Sequence, residues 1–93
     1  MEKDLEILNN TEKLRFETKL GKELAIIDYR WNNGDMVLMH TFVPPEGQGK
    51  GIAAKMAKHA LNYVKENNLK AKLYCPYMIG YVERNPEYKK ITR

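Results

Sequence analysis

The stretch Met36-Val37-Leu38-Met39-His40-Thr41-Phe42-Val43-Pro44-Pro45-Glu46-Gly47-Gln48-Gly49-Lys50-Gly51-Ile52 decides how this chain folds. Residues 36–43 are nearly continuous in apolar side chains, which marks a central strand. Pro44 and Pro45 stop it, because proline has no N–H to give a ladder. Gly47, Gly49 and Gly51 follow in alternation. Without Cβ atoms they let the backbone curl until successive N–H groups converge. From Ile52 the apolar period changes. Ile52, Met56, Ala60 and Val64 recur at every fourth position, with Ala53, Ala57 and Leu61 in the same stripe. Lys55, Lys58, Asn62, Lys65 and Glu66 mark the wet side. The spacing predicts one long helix over 52–67, with Asn67-Asn68 as its C-cap.

Toward the N-terminus, Leu20-Gly21-Lys22 and Asn32-Asn33-Gly34-Asp35 read as hairpin turns, since a tight turn needs positive φ. The runs beside them read as strands. Residues 5–8 alternate weakly, and residues 13–20 put Leu14, Phe16, Thr18 and Leu20 on one face. Residues 23–31 are rich in Ile, Tyr and Trp, with Tyr29 and Trp31 expected in the core or on a sheet face. Short turns make these runs and residues 36–43 a four-stranded antiparallel meander. Toward the C-terminus, residues 71–74 form a short fifth strand and Pro76 ends it. Residues 77–84 form a last short helix before Asn85-Pro86. The expected class is α+β: meander, helix, a fifth strand parallel to the fourth through a right-handed crossover, and a short C-terminal helix.

Composition narrows the function classes. Ninety-three residues make one small domain, residues 1–93. With 43% hydrophobic and 30% charged residues, the chain has a folded, soluble balance. Sixteen Lys and Arg against twelve Asp and Glu leave +4, too little to name an anionic partner. Cys75 is the one cysteine, which excludes a disulfide framework and a cysteine-rich zinc site. A free thiol suits a reducing compartment, so a cytoplasmic location is expected. Residues 1–10 are charged and show no signal peptide. No run approaches the roughly 18 to 20 apolar residues of a membrane span. His40 and His59 fall on different elements, so no metal is expected; His59 belongs on the helix surface.

The glycine turn carries the chemistry. The first N–H groups of a helix are unpaired and sit at its positive end. Joined to a curled glycine backbone, they make a seat for phosphate or pyrophosphate, with Lys50 at its mouth. A plain tight turn is the alternative, although three alternating glycines exceed what a turn requires. A Walker A site is excluded by the missing Gly-Lys-Ser/Thr ending. Gly49-x-Gly51-x-x-Ala54 meets the dinucleotide fingerprint. However, residues 69–74 lack the acidic residue that would bind a ribose, and the chain is too short for two mononucleotide halves.

Gln48-x-x-Gly51-x-Ala53 resembles the Gln/Arg-x-x-Gly-x-Gly/Ala signature of the GNAT superfamily of acetyl-CoA-dependent N-acetyltransferases. It lies where that superfamily keeps it, between the fourth strand and the long helix. His40-Thr41-Phe42-Val43-Pro44, Tyr74-Cys75-Pro76-Tyr77 and Tyr81-Val82-x-x-Asn85-Pro86-x-Tyr88 extend the likeness to the small YjdJ-type branch, over about residues 36–88. The resemblance implies acetyl-CoA as co-substrate. Its pantetheine arm would lie between splayed fourth and fifth strands, on the backbone of Phe42 and Val43. Its pyrophosphate would lie on the N–H groups of Gln48, Gly49, Lys50, Gly51, Ile52 and Ala53. Lys50 or Lys55 would pair with the outer phosphates, and Tyr74 and Cys75 would flank the thioester.

The same resemblance frames the catalytic candidates. The incoming amine must lose a proton, the carbonyl must be polarised, and the leaving thiolate must gain a proton. His40 is the base candidate, because imidazole titrates near neutral pH; a structural histidine is the alternative. Tyr81 matches the tyrosine that relatives place near the sulfur as general acid, against ordinary packing of Tyr77, Tyr81 and Tyr88. Cys75 is either an acetyl carrier or a small buried hydrophobe, with direct transfer ranked above the covalent route. The chain departs from larger relatives in two ways. Only a turn, Asn9-Asn10-Thr11-Glu12, stands where they carry acceptor-side helices, and the fourth strand has no glutamate. An open acceptor side suits a protein lysine, an N-terminus or a polyamine. Two rivals stand beside this transferase. One is a CoA-binding module with little or no turnover. The other is a basic nucleic-acid binder using Lys55, Lys58, Lys65, Lys70 and Lys72 with Tyr74 and Tyr77, for which a solvated helix face is the plainer account.

Overall fold

Asn33 and Gly34 both take positive φ, 53° and 84°. That conformation closes a two-residue hairpin whose twist matches its strands. It joins β3 (Glu23–Asn32) to β4 (Asp35–Phe42). The computed structural model describes residues 5–93. Residues 1–4, part of the segment in which no signal peptide was expected, lie outside the described residues. A second hairpin turns at Gly21, φ 61°, and joins β2 (Arg15–Leu20) to β3. β1 (Leu8–Asn10) edges the sheet, whose order is β1-β2-β3-β4-β5, with β5 at Ala71–Leu73. The first four strands are antiparallel neighbours. β5 is parallel to β4, pairing Met36 with Ala71, Val37 with Lys72 and Leu38 with Leu73.

Phe16, Ala25, Ile27, Tyr29, Met36 and Leu38 form the buried face of the sheet. Against it lies α1 (Ile52–Glu66), which buries Ile52, Met56, Ala57, Ala60, Leu61 and Val64. Phe16 is fully buried, with its ring 5.7 Å from those of both His59 and Tyr63 on α1. Truncating it to alanine is worth about 3 to 5 kcal/mol. α2 (Pro76–Arg84) opens on a proline at the helix start, where a missing N–H does no harm, and adds Met78, Tyr81 and Val82 to the same core. The opposite face of the sheet leaves Arg30, His40 and Phe42 exposed.

Two expectations are corrected, and two elements are added. The strand expected at residues 5–8 forms at Leu8–Asn10, because polar contacts set its register: Tyr29 Oη donates to Asn9 Oδ1 at 2.7 Å. Leu14 is not a strand residue. It ends a turn with φ 56°, and β2 starts after it. Two 3-10 turns, Pro45–Gly47 and Pro86–Ile91, went unread. Tyr88 in the second donates its hydroxyl to Asn62 Oδ1 on α1 at 2.9 Å and pins the C-terminal segment to the long helix.

Candidate functional site

β4 and β5 separate soon after they meet. The Leu38 carbonyl accepts two amides, Tyr74 N–H at 3.0 Å and Cys75 N–H at 3.2 Å. There the chain leaves the sheet and enters α2, while β4 runs on to Phe42. β4 also carries a register shift. Asp28 faces His40 but Tyr29 faces Leu38, so Met39 is an inserted residue. A bulge of this kind re-aims backbone and side chains, here at the fork of two strands. It went unread in the sequence, since no residue type announces it.

Across the fork, Thr41 Oγ1 and Cys75 Sγ lie 3.2 Å apart. Cys75 is 4% exposed and is the N-cap residue of α2. Thr41 pairs with Ile27 and so shares the buried, helix-covered face. His40 points to the other face, 76% exposed, with Nδ1 3.5 Å from Asp28 Oδ1. That carboxylate oxygen is itself buried and has no hydrogen bond. Tyr81 is buried between the rings of Tyr77 and Tyr88, at 6.4 and 6.2 Å. Burial pushes its phenol above the ordinary value, and the neighbouring Tyr88, Tyr77 and Glu87 push the same way. The structure therefore gathers Cys75 with Thr41 at the fork, sets Tyr81 in a tyrosine stack, and separates His40 from both by the thickness of the sheet.

The glycine turn sits beside the fork. Gly49 and Gly51 have φ of 79° and 75°, the left-handed conformation that favours glycine, and a Cβ on either would meet no heavy atom within 4 Å. Gly47 serves a different end. A Cβ there would stand 2.5 Å from Leu20 Cδ1 and 3.0 Å from Val43 Cγ1, so it is a packing glycine. The first bond within α1 is Lys55 N–H to Gly51 O at 3.1 Å, and no side chain caps the helix. The N–H groups of Ile52, Ala53 and Ala54 precede it and have no acceptor within the helix. The Gln48 N–H is engaged inside the turn with Pro45 O at 3.2 Å, and its side chain donates to Val43 O at 3.0 Å. Gln48 thus ties the turn to the end of β4, which differs from offering a backbone donor. Ala54 is a converging donor that the signature did not mark.

These groups line a cleft of about 200 Å³ bounded by Val43, Gly47, Gln48, Gly49, Gly51, Ile52, Ala53, Ala54 and Tyr77. Tyr77 was read only for packing or stacking; the start of α2 brings its ring to the glycine turn. Lys50 is exposed on the turn, and Lys55 stands on the exposed side of α1. A larger hollow, about 450 Å³, lies at the β1–β2 edge around Leu5, Glu6, Leu8, Glu17, Thr18, Lys19 and Leu24, away from the fork. Among the described residues, no three His, Cys, Asp or Glu side chains converge as a metal site, and no helix is long and apolar enough to cross a membrane. The lysines considered for nucleic acid do not share a side. Lys58 and Lys65 are on the exposed side of α1, Lys72 is on the sheet, and Lys70 Nζ donates to Lys90 O.

An anion seat at a helix start beside two parting strands suits a long ligand with a diphosphate at one end and an amide arm at the other. Comparison with known proteins agrees with that geometry. Over 85 residues the chain is 35% identical to protein NATD1 of Gallus gallus and of Mus musculus, covering 88% of this chain and 77% of each relative. Protein NATD1 of Danio rerio is 32% identical over 92 residues, covering 96% of this chain and 84% of the relative. A GCN5-like protein from Staphylococcus aureus, solved in solution by NMR, superposes with a TM-score of 0.70 at 28% identity, covering 96% of this chain and 88% of that one. Residues 15–91 match the family model, from the second strand to the last turn, and the chain belongs to the GCN5-related N-acetyltransferase family.

Proposed function

We propose that this N-acetyltransferase uses acetyl-CoA and transfers the acetyl group to a primary amine by direct attack on the thioester. The parting of β4 and β5 beside the open N-terminus of α1 carries this proposal. The cradle fits the ligand: Gly49 and Gly51 hold the backbone open, and the N–H groups of residues 52–54 would take the diphosphate. Phe42 and Val43 would flank the arm with their backbone, within the limit that Val43 O already accepts from Gln48. Tyr74 and Cys75 would border the thioester.

In the transfer step the amine nitrogen bonds to the carbonyl carbon, the C–S bond breaks, and the sulfur leaves with the electron pair. His40 would take the amine proton on Nε2, while Asp28 on Nδ1 would hold the ring. Tyr81 would stand toward the sulfur. Its raised pKa keeps it protonated but makes full proton transfer to a thiolate uphill, because a free thiol loses its proton near 8.5. Its contribution would be a hydrogen bond to the departing sulfur. The acceptor would be a protein lysine, a peptide N-terminus or a polyamine.

A titration with acetyl-CoA, followed by amide shifts, tests the assignment. The largest changes are expected at residues 42–43 and 49–54, and a flat response there removes it. Thiol release with amine acceptors separates the transferase from a CoA-binding module with little turnover. The exposure of His40 is the observation that favours the module, since a base open to water gains little from its site.

A further inference from the structure

The face of the sheet that carries no helix holds a second cleft, about 190 Å³, lined by Arg30, Trp31, Asn32, Val37, Met39, Lys72 and Tyr74. It begins at the fork: Val37 and Lys72 are paired across β4 and β5, Met39 is the inserted residue, and Tyr74 adjoins Cys75. Tyr74 is 65% exposed, uncommon for a ring of that size on a surface without a partner. Trp31 pairs with Met36 and packs its ring edge-on against buried Tyr29 at 5.6 Å, so it borders the cleft through its backbone. Arg30 and Lys72 are the charged residues of the lining, and no acid balances them. Among the described residues neither side chain makes a hydrogen bond or ion pair.

We infer that this cleft seats the acceptor, and that the acceptor is an acidic peptide, with carboxylates next to the amine that reacts. The inference rests on the transferase assignment and narrows its substrate class. α1, α2 and the core fill the other face, so an incoming chain meets the fork from this one, where His40 is also exposed. Two unpaired cations beside the reaction site repel a polyamine and attract a carboxylate; the Arg30 guanidinium matches a carboxylate with two parallel N–H donors. Tyr74 supplies flat apolar contact, as an aromatic anchor does in a peptide site, with Val37 and Met39 beside it.

The test uses two lysine-containing octapeptides, one with glutamates flanking the lysine and one with arginines, each with its lysine already acetylated so that binding is read without turnover. The acidic peptide is expected to shift the amides of residues 30–32, 72 and 74, binding about tenfold tighter than the basic one in low salt. Arg30→Glu with Lys72→Glu is expected to reverse that order and to leave the acetyl-CoA response at residues 49–54 intact. Equal binding of the two peptides, or shifts from the acidic one that miss the cleft, overturns the inference. A loss of the acetyl-CoA response in the unaltered protein instead counts against the transferase assignment.

Discussion

Thr41 Oγ1 and Cys75 Sγ face each other at 3.2 Å across the point where β4 and β5 part. The pair joins the two arms of the fork, so it has a structural use whether or not the thiol reacts. In direct transfer, Cys75→Ala removes a small buried group and leaves the Thr41 hydroxyl without that partner, a destabilisation of about 1 to 2 kcal/mol. Turnover is expected to stay within about threefold of the unaltered protein, since the barrier is set elsewhere. An acetyl-cysteine route instead requires a loss of about a thousandfold or more, because the nucleophile itself is gone. Urea unfolding and thiol release, measured on the same variant, separate the two.

The glycines of the turn are expected to divide by mechanism. Gly49→Ala and Gly51→Ala put an L side chain at φ 79° and 75° in open space, so each costs only the left-handed backbone penalty, about 1 to 2 kcal/mol. Their main effect is expected on acetyl-CoA, with affinity falling about tenfold as the donors of residues 52–54 lose their setting. Gly47→Ala drives a methyl into Leu20 and Val43, and should lower stability first. Chemical unfolding and calorimetric titration of the three variants check the division.

Asp28 is expected to position His40. Its buried Oδ1 lacks a hydrogen bond, and the imidazole Nδ1 at 3.5 Å is placed to approach it. Asp28→Ala is expected to lower kcat about tenfold, a fraction of what a general base supplies, with KM for acetyl-CoA unchanged. Asp28→Asn, which keeps an acceptor, should fall between. Nitrogen shifts of the neutral imidazole give an independent readout: proton on Nδ1 in the unaltered protein, and on Nε2 once the carboxylate is removed. An unchanged tautomer in the Ala variant would assign the pair to surface chemistry alone.

Much of this molecule was legible because local rules agreed with one another. The Asn33-Gly34 turn, the Pro44-Pro45 stop and the apolar stripe from Ile52 to Val64 fixed β3, β4 and α1 to within a residue or two. The glycine turn was read correctly as the opening of a helix. The alternation of Gly47, Gly49 and Gly51 makes the three look alike, however, because spacing cannot separate a packing glycine from one needed for positive φ. The edge strand was displaced because Asn9 and Asn10 hold it through side chains, leaving little apolar alternation to read. The bulge at Met39 depends on how β3 meets β4, and the aromatic, cationic cleft depends on which residues of three strands share an outer face. Both are properties of pairing, and a single chain does not spell them out.

Alkaline stability gives a further check on the tyrosine stack. Burial is the first cause that lifts Tyr29, Tyr81 and Tyr88 above 10.0; Glu87 adds to the last two, and the hydrogen bond to Asn9 partly offsets the first. The native state therefore holds protons that the unfolded chain has begun to release at pH 10. The stabilisation is complete below that pH and is lost as pH rises through the higher native values, by up to about 1.4 kcal/mol per pH unit for each tyrosine. The urea midpoint is expected to be level near pH 9 and to fall above 10. Tyr81→Phe should flatten that fall, since its ring has no proton to release. Tyr88→Phe should flatten it too, and should lower the midpoint at every pH by removing the bond to Asn62, worth about 1 kcal/mol. A decline that begins below pH 9, or that neither substitution alters, would place the alkaline sensitivity outside the stack.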